Sequence, residues 1–92
     1  MFEYEFSDAL KLKIKKIAKK DPKKANIIKK KADEIIKSDK ETIMHYKNLC
    51  YGLKKLKRVH IDKHFVLVFE VDLEKNLILF VDFDHHDKIY IN

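Results

Sequence analysis

A lone cysteine, Cys50, in a chain of 92 residues leaves no internal disulfide to form. It also denies the chain the paired thiolates that a closed structural zinc site favours. Glycine and proline occur once each, as Gly52 and Pro22, and no linker, repeat or low-complexity segment interrupts the sequence. The chain therefore reads as one domain, residues 1–92, with room for a single core of modest depth and no second module. No apolar run reaches membrane-spanning length and no signal-peptide pattern opens the sequence, so an intracellular, cytoplasmic protein without a membrane partner is expected. Arginine is also scarce. Arg58 stands alone beside twenty lysines.

What is present is apolar bulk and charge. Hydrophobic residues make up 46%, enough for a globular core, and charged residues 39%, well above the usual quarter. The net charge of +6 hides an asymmetry: residues 1–60 carry +10 and residues 61–92 carry −4. A basic field of this kind attracts polyanions, meaning nucleic acid or an acidic protein segment. Lysines that merely solvate helices are the plainer explanation for any one of them.

The patterning predicts a strand, two helices and three further strands. FEYEF, residues 2–6, alternates with period two and would bury Phe2, Tyr4 and Phe6 on one face. Ser7 reads as a helix N-cap, with Leu10, Ile14, Ile17 and Ala18 on the apolar stripe that follows. Asp21-Pro22 ends that helix and starts the next, whose stripe is Ala25, Ile28, Ala32 and Ile35. Such a short connection implies an antiparallel helical hairpin. Ser38 and Glu41 have capping-box spacing, which would begin a further helical turn. LKKLKRVHI, residues 53–61, reads as a strand with a strongly basic face. FVLVFEV, residues 65–71, is apolar on both sides, as a central strand requires, and LILFVDF, residues 77–83, completes a hairpin. The expected fold is α+β: an N-terminal strand and a helical hairpin packed on one face of an antiparallel sheet, in the order β-α-α-β-β-β.

Five histidines are candidates for chemistry: His45, His60, His64, His85 and His86. His60 and His64 have the spacing of half a zinc site, but adjacent residues of a strand point to opposite faces, so His85 and His86 should not ligate together. No metal and no cofactor are expected, and a solvated surface side chain is the reading favoured for His45. On the basic strand, alternation places Leu56, Arg58 and His60 on one side and Val59 and Ile61 on the other. Arginine offers a fork that grips phosphate bidentately, which gives the single Arg58 a candidate role; a cross-strand ion pair with Asp62 or Glu70 is an equal alternative.

The segment YGLKKLKRVHI leading into an apolar central strand, together with the ending HHDKIY, resembles the RelE/ParE superfamily of type II toxins. The match spans the chain in outline. Its most specific part is the tail: His85-His86-x-x-Ile89-Tyr90 is similar to the His-Arg-x-x-(Ile/Val)-Tyr of RelE-like sequences, and His86 to Tyr90 keeps the His-to-Phe spacing of YafQ-like ones. The resemblance implies a RelE-like fold and a ribosome-dependent mRNA endoribonuclease that works without a metal. It implies one partner besides RNA and ribosome, a RelB-like antitoxin that neutralises the toxin, and none in the membrane. By that resemblance His60, His86, Arg58 and Tyr90 would be catalytic, while Lys54, Lys55, Lys57 and His64 would bind RNA. Cleavage through a 2′-hydroxyl needs a base, an acid and cations for the developing charge, and histidine suits both proton tasks near neutral pH. Tyr90 could stack on an unpaired base. The central strand begins Phe65-Val66 where RelE-like toxins have Tyr-Arg, so one expected phosphate-binding arginine is absent. Two other readings remain open: a non-catalytic basic RNA-binding module, and a ParE-like toxin acting on a topoisomerase. The antitoxin is expected to be acidic and amphipathic, and to lie on the lysine-rich helices near Lys13, Lys16, Lys20, Lys24 and Lys31.

Overall fold

In the computed structural model, residues 1–49 and 56–89 are described. Five strands form one mixed sheet in the order β1-β5-β4-β3-β2, where β1 is Glu3–Phe6, β2 Lys47–Asn48, β3 Leu56–Ile61, β4 Phe65–Asp72 and β5 Leu77–His85. Helices α1 (Asp8–Lys20) and α2 (Pro22–Ile36) cover one face; α3 (Lys40–Met44) and a single turn, α4 (His86–Ile89), complete the set. The expected α+β architecture is present, with a longer element list and one change of strand direction. β1 pairs parallel with β5, because Glu3 N–H bonds to the Asn76 carbonyl and Ser7 N–H to that of Phe80. The chain thus leaves the sheet at the end from which α1 can run back across it.

The short hairpin follows from one side chain. Asp21 N–H donates to the Ile17 carbonyl, closing α1, while its carboxylate accepts from Lys24 N–H at 3.1 Å, opening α2. Pro22 stands in the first turn, where its missing N–H costs nothing. Ser7 caps α1 as expected, accepting from Leu10 N–H and donating to the Val81 carbonyl at 2.6 Å. The third helix is capped differently from the expectation: Asp39, not Ser38, accepts from Thr42 N–H at 2.7 Å. The Ser38 hydroxyl instead donates to the Ile35 carbonyl, so it serves the end of α2.

The core lies between the helices and the sheet, with Leu10, Ile28, Ile35, Ile43, Ile61, Leu67, Phe69, Ile78 and Phe80 fully buried. Two expected members are outside it. Ala18 is exposed, since it falls about 80° around the helix from Leu10, at the margin of the stripe. Tyr4 is 53% exposed on the edge strand, its ring edge-on to Phe6. A register shift opposite Val68/Phe69 leaves Val81 as the extra residue of a β-bulge. The bulge lets Phe80 and Phe83, three residues apart, both point into the core, and the Phe83 ring stacks on Phe65 at 5.3 Å.

Candidate active site

The end of β5 meets the turn between β3 and β4. Asp62 holds that turn with a positive φ of 55°, and its carboxylate accepts from His64 N–H at 2.9 Å. The strand then stops at His85, and His86 N–H donates to the His64 carbonyl at 2.8 Å, which fastens the tail to the turn. Because α4 begins at His86, strand alternation no longer applies. The His85 and His86 rings stack at 4.6 Å between centroids, and His64 stacks on His85 at 5.9 Å. This corrects the expectation that adjacent histidines diverge. His85 was missed as a site residue for that reason, and the signal that could have found it is the helix-favouring DKI that follows.

Beneath the imidazoles lies an aromatic footing. Phe65 meets His85 edge-on at 5.6 Å and Phe83 face-on, and the Lys24 ammonium sits 3.7 Å from the Phe65 ring centroid. A cleft of about 290 Å³ opens here, with Lys16, Lys20 and Lys24 on its rim and Phe65 and Phe83 in its wall. The cleft shares Phe65 with His85, yet the sequence suggested its lysines only as part of an antitoxin surface. The larger cleft, about 630 Å³, lies elsewhere, over Phe6, Leu12 and Ile14, and is nearly all apolar. It suits docking better than proton transfer.

On the outer face of the sheet, β4 lies between β3 and β5 as expected. Arg58 pairs with Val68 and that with Asp82; His60 pairs with Val66 and that with Asp84. His60 is exposed over the floor made by the buried Val66 and Val68. Arg58 donates from Nε to the Asn48 carbonyl at 3.2 Å, which orients its guanidinium against β2. Two acidic residues on β5 would repel a polyanion from this end of the sheet. Lys13 answers both, with Nζ 2.7 Å from Asp82 and 3.0 Å from Asp84. Burial works against the charge of Lys13, but its hydrogen bonds to the two carboxylates prevail and raise its pKa. Burial likewise opposes the charge of Asp84, and the His85 N–H and Lys13 together outweigh it and lower its pKa. Lys13 is accordingly committed within the fold, Lys31 is paired with Glu34, and Lys24 lies 3.9 Å from Asp62 Oδ2, so none of the three stands as an unpaired cation for a partner.

Lys57 requires the clearest correction. It shares its face of β3 with Val59 and Ile61, is only 3% exposed, and donates to Asn48 Oδ1 at 2.9 Å. An ammonium held under the helices cannot contact RNA at the surface. Burial lowers its pKa, so the folded state holds that proton less firmly than the unfolded chain does, and at neutral pH the charge weighs against folding. Lys57→Met is therefore expected to raise stability by about 1 kcal/mol, or about 4–8 °C in melting temperature. Thermal denaturation followed by circular dichroism is the check; a lower melting temperature would mean that the Asn48 bond outweighs the burial. Lys54, Lys55 and Tyr90 lie outside the described residues.

No protein-family model matches the chain. It is 49% identical over 90 residues to "Putative toxin RelE4" of Methanocaldococcus jannaschii, covering 98% of this chain and 92% of that protein. An uncharacterized protein of Methanosarcina mazei is also 49% identical over 90 residues, covering 98% and 100%. Among solved structures, YafQ from E. coli strain BL21(DE3) superposes with a TM-score of 0.72 at 17% identity, spanning 99% of this chain and 100% of that one. At that identity the likeness speaks for the fold.

Proposed function

The chain belongs to the RelE family of toxins, and we propose from it that the protein is a cytoplasmic, ribosome-dependent mRNA endoribonuclease neutralised by a RelB-like antitoxin. The observation that carries this reading is the packing of His64, His85 and His86 at the open end of the sheet, beside a lysine-rimmed cleft. An imidazole there can take the proton of a 2′-hydroxyl and another can return one to the departing 5′-oxygen. His86 is the group best held for that work, because Asp87 Oδ1 lies 3.0 Å from its Nδ1 and steadies the ring. His60, exposed on the outer face, supplies a further proton-transfer group, and Arg58 a cation for the scissile phosphate. Tyr90, one residue beyond α4, stacks on a base. Lys16 and Lys20 hold the RNA backbone, taking the part that the buried Lys57 cannot. The histidines favour this over the two rival readings: neither a passive RNA-binding module nor a topoisomerase poison needs imidazoles gathered at one edge. Primer extension on translated messages after induction is the test. Cleavage confined to ribosome-bound mRNA is expected; growth arrest with intact messages would overturn the reading.

The antitoxin's berth in this reading is the apolar cleft over Phe6, Leu12 and Ile14, which Lys11, Lys15 and Lys29 border together with the single acid Asp8. Leu12 is 61% exposed there, an unusual placement for leucine on a helix that has a core to face. An amphipathic acidic segment would set its apolar side on this floor and its carboxylates against the lysines. Leu12→Asp is expected to weaken antitoxin binding at least about tenfold, or about 1.4 kcal/mol, without altering the circular dichroism spectrum. Unchanged affinity in a calorimetric titration would place the antitoxin elsewhere.

A further inference from the structure

General acid–base cleavage asks for two proton-transfer groups, yet three imidazoles are drawn together at the end of β5. His64, His85 and His86 each present one ring nitrogen, and the three nitrogens lie within 4.8 Å of one another. We propose that these three side chains chelate one divalent transition-metal ion of the zinc class, and that the ion silences the toxin by occupying the nitrogens that cleavage requires.

Imidazole is a neutral nitrogen donor suited to such ions, and three histidines with a solvent molecule in the fourth position make a recognised tetrahedral set. Bonds of about 2.0–2.1 Å separate tetrahedral ligand nitrogens by about 3.4 Å. The triangle must therefore contract by about 1.4 Å at most, and rotation of the rings, exposed at His64 and part-buried at His85 and His86, supplies that. Its backbone is already in place: His86 N–H is bonded to the His64 carbonyl, and His64 N–H to Asp62 Oδ1. Asp87 lies against two of the rings, its Oδ1 3.0 Å from His86 Nδ1 and its Oδ2 3.6 Å from His85 Nδ1. A carboxylate behind a ligating histidine fixes the ring and strengthens the donor nitrogen on its other side. His85 Nδ1 now accepts the Asp87 N–H at 3.2 Å; ligation through its Nε2 exchanges that bond for one from Nδ1–H to the Asp87 carboxylate. The same carboxylate argues against an anion as the occupant, since it places negative charge directly against the rings.

Binding stands on this geometry alone, whereas silencing rests on the nuclease reading above, and the test separates them. Chelator-treated full-length chain is titrated with zinc chloride by calorimetry, with cobalt(II) as a coloured substitute. One ion per chain is expected, and His64→Ala, His85→Ala and His86→Ala should each weaken binding at least tenfold while His45→Ala leaves it unchanged. Circular dichroism of each variant guards against misfolding, and loss of the wild-type imidazole proton signals on addition of zinc reports the ligands without any mutation. Absence of uptake, or uptake that survives His86→Ala in a folded protein, overturns the site. His60→Ala is expected to lose cleavage and keep zinc. Zinc that binds at the three histidines yet leaves cleavage unchanged, or supports it, overturns the silencing.

Discussion

His86→Ala is expected to lower cleavage of ribosome-bound mRNA by about a hundredfold or more, the usual cost of removing a general acid or base. Growth arrest should disappear with it. The fold should not, because His86 begins a single surface turn, its side chain is half-exposed, and truncation opens no core cavity. His60→Ala is expected to act in the same direction for a separate reason: it stands exposed on the outer face, above the Val66 and Val68 floor across which RNA would lie. Primer extension at matched protein level measures both. If the two variants cleave as the parent does, the proton-transfer groups have been misplaced and the assignment of this edge as the active site fails. An intermediate result is informative as well: loss in His86→Ala with retention in His60→Ala would confine the chemistry to the imidazole stack.

How much of this was legible in the sequence depends on how local the determining interaction is. Ser7, Asp21 and Pro22 announce the helical hairpin because caps act within three residues, and the structure keeps all three in their expected roles. The mainly apolar run from Phe65 reads as a central strand, and the structure gives it a paired strand on each side. The alternation of β3 puts Lys57 on the buried side with Val59 and Ile61, whereas its charge suggests the surface, and only the structure decides between the two. The histidine stack was illegible for a different reason. It forms where a strand ends, and a shift of one residue in that end decides whether His85 and His86 diverge or stack. Lys13 shows the third kind of limit: its partners, Asp82 and Asp84, lie some seventy residues away, and no local rule connects them. Likewise the parallel β1–β5 pairing joins the first and last strands of the chain.

The largest loss of stability is expected from Phe83→Ala, because this ring belongs to the core and to the footing of the histidines at once. Phe83 is 2% exposed, stacked on Phe65 at 5.3 Å, and reaches the core only because the bulge at Val81 turns it inward. Replacing a buried phenylalanine by alanine costs about 3–5 kcal/mol, against a total of about 5–15 kcal/mol for a domain of ordinary stability. At about 4–8 °C per kcal/mol, the melting temperature should fall by at least 12 °C or so. Phe83→Leu retains most of the volume and should cost much less. The comparison also tests the footing. Phe65 is flanked by Phe83, Lys24 and His85, so in the alanine variant it is free to tip into the vacated space and withdraw its edge from His85. Cleavage measured well below the lowered melting temperature should then fall in Phe83→Ala more than in Phe83→Leu. Equal cleavage by folded samples of both would mean that the His64 carbonyl and Asp87 position the imidazoles without help from the aromatic layer.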